Sequence, residues 1–286
     1  MSRIAYVNGL YVPHAEAVVH VEDRGYQFAD GVYEVCEVRG GHMVDERRHM
    51  ERLVRSLNEI RIRQPMPLAA LGVVLRETVR RNRVRNGFVY LQVTRGVARR
   101  DHYFPDPETP PSIVVTARAA DPAKGEAVAA QGIAIITVPD NRWERVDVKT
   151  VGLLPNVLAK EAARQAGARE AWFVDRDGNV TEGGSTNAWI VTGDGKLVTR
   201  PAESGILRGI TRTVMMEVAE KLQLRVEERA FTVKEALGAR EAFVTSATNF
   251  ATPVVRIDGQ AIGEGKPGPV ARALRENFHK VAEIAR

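Results

Sequence analysis

Two dipeptides, Asn8-Gly9 and Gly40-Gly41, interrupt short alternating runs, RIAYVNGLYV and GVYEVCEVRGGHMV, and each predicts a two-residue β-hairpin. A turn of that length joins antiparallel neighbours, so a purely parallel sheet is excluded from the outset. Asp177-Gly178, in VDRDGNVTEGG, repeats the signal in the second half of the chain. Helical periodicity follows near 45–60 and 67–82, and FVYLQVTRG (88–96) and PSIVVTARA (111–119) read as strands separated by a proline-bearing loop, VARRDHYFPDPETP. The stretch AADPAKGEA, 119–127, has the composition of a linker. Beyond it the strands GIAIITV, RVDVK, EAWFVD, AWIVT and EAFVTS alternate with helices near 155–166, 209–222 and 267–284. The expected fold class is therefore α/β (α+β), with mixed or antiparallel sheets flanked by helices. The expected division is a smaller domain at 1–118, an interdomain linker at 119–127 and a larger domain at 128–286.

Composition narrows the function. With 286 residues, 44% apolar and 27% charged, the chain can bury sizeable cores and is neither disordered nor fibrous. No run approaches the roughly 20 apolar residues needed to span a bilayer. The first residues, MSRIAYVNGLYVPHAEAVVH, carry no uninterrupted apolar core after a basic start. A cytoplasmic protein is expected, and the single cysteine, Cys36, fits a reducing compartment. The net charge of +5 raises nucleic acid as a partner, because arginines cluster in ERRHMERLVRSLNEIRIR (46–63) and RETVRRNRVRNG (76–87). Against this, Met50, Leu53, Val54, Leu57 and Ile60 recur at helical spacing and place most of the first group on a solvated face. No zinc spacing, aromatic RNA-binding pattern or helix-turn-helix accompanies them. A small-molecule role with an anionic ligand ranks well above nucleic acid, and no membrane partner is expected.

Three features of the second half bear on chemistry. In RVDVK a strand would put Val146, Val148 and Thr150 on one side and Asp147 and Lys149 on the other, where an exposed lysine is the ordinary outcome. In TEGGSTN, Glu182 precedes two glycines that allow close approach of a ligand to the backbone. In SGILRGITRTVMMEVAEKL, Ile210, Val214, Met215, Val218 and Leu222 form one apolar stripe, with Gly209, Ile210 and Thr211 at the amino end. Such an end is suited to a phosphate, although Thr211 also reads as a simple N-cap.

Taken together, RGYQFADGVYEV (24–35), HMERL (49–53), DVKTVGLLPNVLAK (147–160), TEGGSTN (181–187) and LRGITR (207–212) resemble the ordered signature of the fold-type IV pyridoxal-phosphate enzymes. This class IV aminotransferase family holds D-amino-acid transaminases, branched-chain transaminases and aminodeoxychorismate lyases. The resemblance runs to TPVVRIDG near residue 259, almost the whole chain. It implies that the domain at 128–286 binds pyridoxal 5′-phosphate and that Lys149 is the covalent anchor and the carrier of the substrate Cα proton. It further implies that Glu182 holds a proton on the pyridine nitrogen, and that Arg52, Ile210 and Thr211 bind the phosphate. The stretch FVTSATNFATPVV (243–255) resembles the second phosphate loop, with Ala247 where relatives often carry a hydroxyl residue and with Thr248 or Ser246 as the compensating side chain.

Subclass rests on the first half. Arg100 and His102 in GVARRDHYF have the spacing of the R-x-H loop with which D-amino-acid transaminases grip the substrate α-carboxylate, and Tyr33 matches the tyrosine beside it. In that family the loop reaches the active site of the other subunit, so a homodimer is implied. The resemblance thus points to transfer of an amino group from a D-amino acid such as D-alanine or D-glutamate to a 2-oxo acid. The alternative is a branched-chain L-amino acid transaminase, because Thr150 and Gly152 stand where many D-amino-acid transaminases have serine and asparagine. His14, His20, His42 and His279 form no metal spacing, and no metal is expected.

Overall fold

The computed structural model describes residues 3–203 and 205–284. The chain separates into two units, Met1–Pro122 with Val148–Gly152 and Glu283–Arg286, and Ala123–Asp147 with Leu153–Ala282. Residues 148–152, which carry Lys149, thus join the first unit although their neighbours on both sides belong to the second.

The first unit contains β1 (Ile4–Val7), β2 (Leu10–Pro13), α1 (Arg24–Phe28), β3 (Gly31–Arg39), β4 (His42–Met43), α2 (Glu46–Glu59), α3 (Leu68–Arg81), β5 (Gly87–Thr94) and β6 (Ser112–Ala119). Its six-stranded sheet has the order β2-β1-β6-β5-β3-β4 and is antiparallel throughout. Asn8 (φ 46°) and Gly9 (φ 102°), like Gly40 (φ 61°) and Gly41 (φ 93°), are left-handed in pairs, which matches the twist of the strands they join. The short helix α1 was not legible from periodicity. It is set locally, by the Asp23 carboxylate accepting from the Gly25 amide and by Ala29 turning left-handed to close it. Helices α2 and α3 lay Met50, Leu53, Leu57, Leu71, Leu75 and Val79 against the sheet. On their outer faces Arg47 pairs with Glu51, Arg76 with Glu46, and Arg80 and Arg81 with Glu77, so these arginines are neutralised locally rather than arrayed for a polyanion.

The second unit contains α4 (Pro122–Gln131), β7 (Ile133–Pro139), α5 (Leu154–Gln165), β8 (Glu170–Val174), β9 (Val180–Gly183), β10 (Asn187–Val191), β11 (Leu197–Thr199), α6 (Ile210–Lys221), β12 (Val226–Glu228), α7 (Val233–Leu237), β13 (Glu241–Ser246), β14 (Phe250–Ile257), β15 (Gln260–Ala261) and α8 (Pro269–Val281). Its nine-stranded sheet runs β12-β11-β10-β13-β14-β7-β8-β9, with β15 on β14. Parallel pairing of β7 with β14 and β8, and of β11 with β12, makes it mixed. Trp172, Trp189, Phe173, Phe231 and Phe243 are fully buried in this unit.

Within 119–127, β6 continues to Ala119 and α4 begins at Pro122, a proline in the first turn being compatible with a helix start. One local expectation is corrected: the strand expected at 145–149 does not form. Val146 and Asp147 lie in a turn, and only Thr150 makes an isolated bridge, to Val32. The reason lies in β4, which covers only Val38 and Arg39 of β3 and leaves the other end of that edge open. Lys149 and Val151 dock there, with Tyr33 N–H donating to the Lys149 carbonyl and Val151 N–H to the Gly31 carbonyl, both at 3.0 Å. Val148 is pulled into the first unit's core.

Candidate active site

Docking of 149–151 on β3 places the Lys149 ammonium 4.1 Å from the centre of the Tyr33 ring, and Tyr33 stacks on Tyr90 at 5.6 Å. Lys149 is therefore half-buried against an aromatic face instead of standing on an exposed strand. Burial, then the neighbouring Tyr33, pushes the Tyr90 hydroxyl up to about 12, so it stays protonated and donates to Gln92 at 2.7 Å. Strand alternation turns the next side chain, Glu34, to the opposite face of β3. There its carboxylate takes a two-pronged pair from Arg52 and a contact from His49, both on α2. Arg52, the expected phosphate ligand, is thereby held nearly buried at 9% exposure.

Arg100 and His102 lie on the exposed loop between β5 and β6 and meet on one ring. The Arg100 guanidinium sits 4.7 Å from the centre of Phe28, and His102 packs on the same ring at 5.6 Å. Arg24 covers Phe28 as well, at 4.7 Å, and donates to the Asp101 carbonyl at 2.7 Å, pinning the residue between the two. Arg24 is itself fixed by Asp30, which also receives Arg95 through both carboxylate oxygens.

In the second unit the expected proton holder, Glu182, is the penultimate residue of β9, with 6% exposure. One oxygen accepts from Arg142 at 2.5 Å; the other accepts from Asn187 Nδ2 at 3.0 Å and from the Leu207 amide at 3.2 Å. Arg142 is shared with Asp140, at 2.7 Å. Burial opposes the charge on Asp140, yet the Arg142 pair outweighs it and holds the carboxyl below its usual range. Gly209 is the N-cap of α6 and supplies no capping side chain, so no cap competes for the amides of Ile210 and Thr211. A larger residue at Gly209 meets a close neighbour, since a Cβ there would lie 2.1 Å from Asn187 Oδ1. Ala247 and Thr248 form the turn between β13 and β14, and Ser246 and Thr248 share a hydrogen bond at 3.3 Å.

Lys149 is thus brought to Tyr33, Arg100 to His102, and Ser246 to Thr248, while Ile210 and Thr211 open one helix. Four side chains that sequence reasoning did not single out join them. Asn187 closes the TEGGSTN stretch, and Glu34 and His49 sit inside DGVYEV and HMERL, so adjacency to matched motifs was a usable signal. Arg142 lies outside every motif and had none. Each unit holds groups of the kind pyridoxal 5′-phosphate takes: the first a primary amine, Lys149, and a fixed arginine, Arg52, and the second a buried carboxylate held by donors, Glu182, and an uncapped helix start.

Comparison with known proteins agrees. The family described as Amino-transferase class IV matches residues 31–257. The chain is 41% identical over 278 residues to the D-alanine aminotransferase of Staphylococcus haemolyticus, covering 97% of each. It is 42% identical over 268 residues to that of Bacillus licheniformis, covering 94% of this chain and 93% of the relative. Among solved structures, the Escherichia coli branched-chain amino acid aminotransferase superposes with a TM-score of 0.90 at 25% identity over 98% of this chain and 95% of that one. The branched-chain aminotransferase of the thermophilic archaeon Thermoproteus uzoniensis, solved with norvaline, gives 0.88 at 25% identity, covering 99% of each.

Proposed function

The chain belongs to the class IV aminotransferases, which depend on pyridoxal 5′-phosphate, and we propose that it is a D-amino-acid transaminase acting on D-alanine or D-glutamate with a 2-oxo acid as acceptor. The observation that carries the subclass is the joint packing of Arg100 and His102 on Phe28, which presents two adjacent cationic or hydrogen-bonding groups from one pinned loop. The D-alanine aminotransferases to which the chain is similar over nearly its full length support the same reading.

The cofactor, when bound, supplies the electron sink for the carbanion at the substrate Cα. Arg52 would hold its phosphate, with the amides of Ile210 and Thr211, the Thr211 hydroxyl, and the turn at Ala247 and Thr248 as further donors. Glu182 would hold a proton at the pyridine nitrogen, its own oxygens being fixed by Arg142, Asn187 and Leu207. Lys149 would anchor the cofactor and would carry the substrate Cα proton. Tyr33, Arg100 and His102 orient the substrate, the last two from a partner copy of the chain. A homodimer belongs to the same reading, as the family resemblance of the Arg100–His102 loop implies. A cytoplasmic location completes the reading, in keeping with a lone, buried Cys36; among the described residues no helix is long and apolar enough to cross a membrane.

The test compares half-reaction rates of D-alanine, L-leucine and an arylalkyl amine in wild type and in Arg100→Ala/His102→Ala. Loss of a charge-assisted partner for a desolvated carboxylate costs about 2–5 kcal/mol, so the double variant should lose D-alanine turnover far more than amine turnover. A wild type that prefers L-leucine returns the branched-chain reading, and a double variant that keeps its D-alanine rate returns Arg100 and His102 to the solvated surface.

A further inference from the structure

Glu34 poses a problem for a phosphate site. Its carboxylate, 1% exposed, neutralises the very arginine assigned to the cofactor phosphate. Were charge all that mattered, the site would bind a dianion better without it. The geometry argues otherwise. Glu34 Oε1 receives Arg52 Nε at 2.8 Å and Oε2 receives Nη2 at 2.8 Å, so two parallel bonds lock the plane of the guanidinium. His49 lies one helical turn before Arg52 on the same face of α2, and its Nδ1 is 2.7 Å from Oε2, which fixes the carboxylate in turn. With Nε and Nη2 committed, the plane and orientation of the guanidinium are set before any ligand arrives.

We infer that Glu34 is a positioning residue for the cofactor phosphate, acting through Arg52 with His49 as its brace; the inference rests on the reading of Arg52 as a phosphate ligand. Two costs are removed by this arrangement. An arginine otherwise free to rotate gives up its rotamer entropy during folding rather than during binding. A guanidinium held at 9% exposure also needs a carboxylate partner to remain there at all. The same strand serves both ends of the chemistry, since Tyr33 meets Lys149 on one face and Glu34 meets Arg52 on the other.

The distinguishing measurement is phosphate selectivity. Apoenzyme of the full chain is titrated with pyridoxal 5′-phosphate and, separately, with pyridoxal, following absorbance of the bound form. The preference for the phosphorylated ligand is compared among wild type, Glu34→Gln, Glu34→Asp, His49→Gln and Arg52→Lys. Glu34→Gln should lower that preference by about tenfold or more, through weaker pyridoxal 5′-phosphate binding with pyridoxal binding little altered, and His49→Gln should lower it to a smaller extent. A general packing role would weaken both ligands alike and leave the ratio where it was. An unaltered or increased preference in Glu34→Gln overturns the inference. If Arg52→Lys also leaves the preference intact, the assignment of Arg52 has failed instead; if Arg52→Lys collapses it and Glu34→Gln does not, only the positioning role is lost. Should Glu34→Gln not fold, Glu34→Asp keeps the charge but withdraws the carboxylate by one methylene; a lowered ratio in that variant supports the inference and an unaltered one overturns it.

Discussion

Glutamine at position 182 keeps the volume of the side chain and removes its charge. In the native site one oxygen of Glu182 faces Arg142 and the other faces two donors, Asn187 Nδ2 and the Leu207 amide. A glutamine that turns its oxygen to Arg142 sets its own NH2 against those donors. Asn187 can fall back on the Leu207 carbonyl, which it already reaches at 2.9 Å, and Arg142 keeps Asp140 at 2.7 Å. The Leu207 amide and the new NH2 are left without an acceptor, a loss of roughly 1–3 kcal/mol in stability for each donor that stays buried. Catalysis should suffer as well. Removing one preorganised electrostatic contact costs about 10²–10³ in rate, or about 2.7–4 kcal/mol, and on the proposed reading Glu182 is the carboxylate that keeps a proton on the pyridine nitrogen. Single-turnover absorbance with saturating D-alanine, run alongside its Cα-deuterated form, measures the proton-transfer step directly. The expected result is a slowed step with a full isotope effect and a substrate half-saturation little altered. An unchanged single-turnover rate, or a deficit that vanishes when cofactor is added in excess, would refute the role given to Glu182.

Lys149→Ala should abolish transamination while leaving the fold intact, because the ammonium's contact with Tyr33 contributes only about 0.5–1 kcal/mol; turnover without added amines at an appreciable fraction of the wild-type rate removes Lys149 from its place. Gly209→Ala should weaken cofactor retention without backbone strain, since φ is −64° and the main conflict is the new Cβ against Asn187 Oδ1; pyridoxal 5′-phosphate affinity equal to wild type speaks against the Asn187–Glu182 arrangement. Acid stability should report Glu34. Burial alone would raise its carboxyl, but Arg52 and His49 hold it at about 2 against an ordinary 4.5. A carboxyl depressed in the folded state stabilises the protein above its unfolded pKa and loses that contribution as pH falls through the folded value. Unfolding free energy from urea titration should therefore drop between about pH 4.5 and pH 2 in wild type, and drop less in Glu34→Gln; parallel curves contradict the pairing.

Local rules made much of the fold legible in the sequence. Asn8-Gly9, Gly40-Gly41 and Asp177-Gly178 announce their turns because few residues tolerate positive φ, and α2, α3, α5, α6 and α8 announce themselves because a buried face imposes a 3.6-residue period. The ordered motifs placed Lys149, Glu182, Arg52 and Thr211 in view. Tertiary structure decided the rest. Whether 145–149 forms a strand depends on which sheet edge is vacant, and that is set by the shortness of β4, far away in the chain. Helix α4 lies within a stretch whose small and polar residues read as a linker, because composition does not say what the alanines pack against. The partners of Glu182 and of Arg52, and the ring on which Arg100 and His102 meet, come from separate elements. A sequence records dihedral preference and periodicity residue by residue; the pairing of charges across elements exists only once packing has brought them within a few ångströms of each other in a medium poor in water.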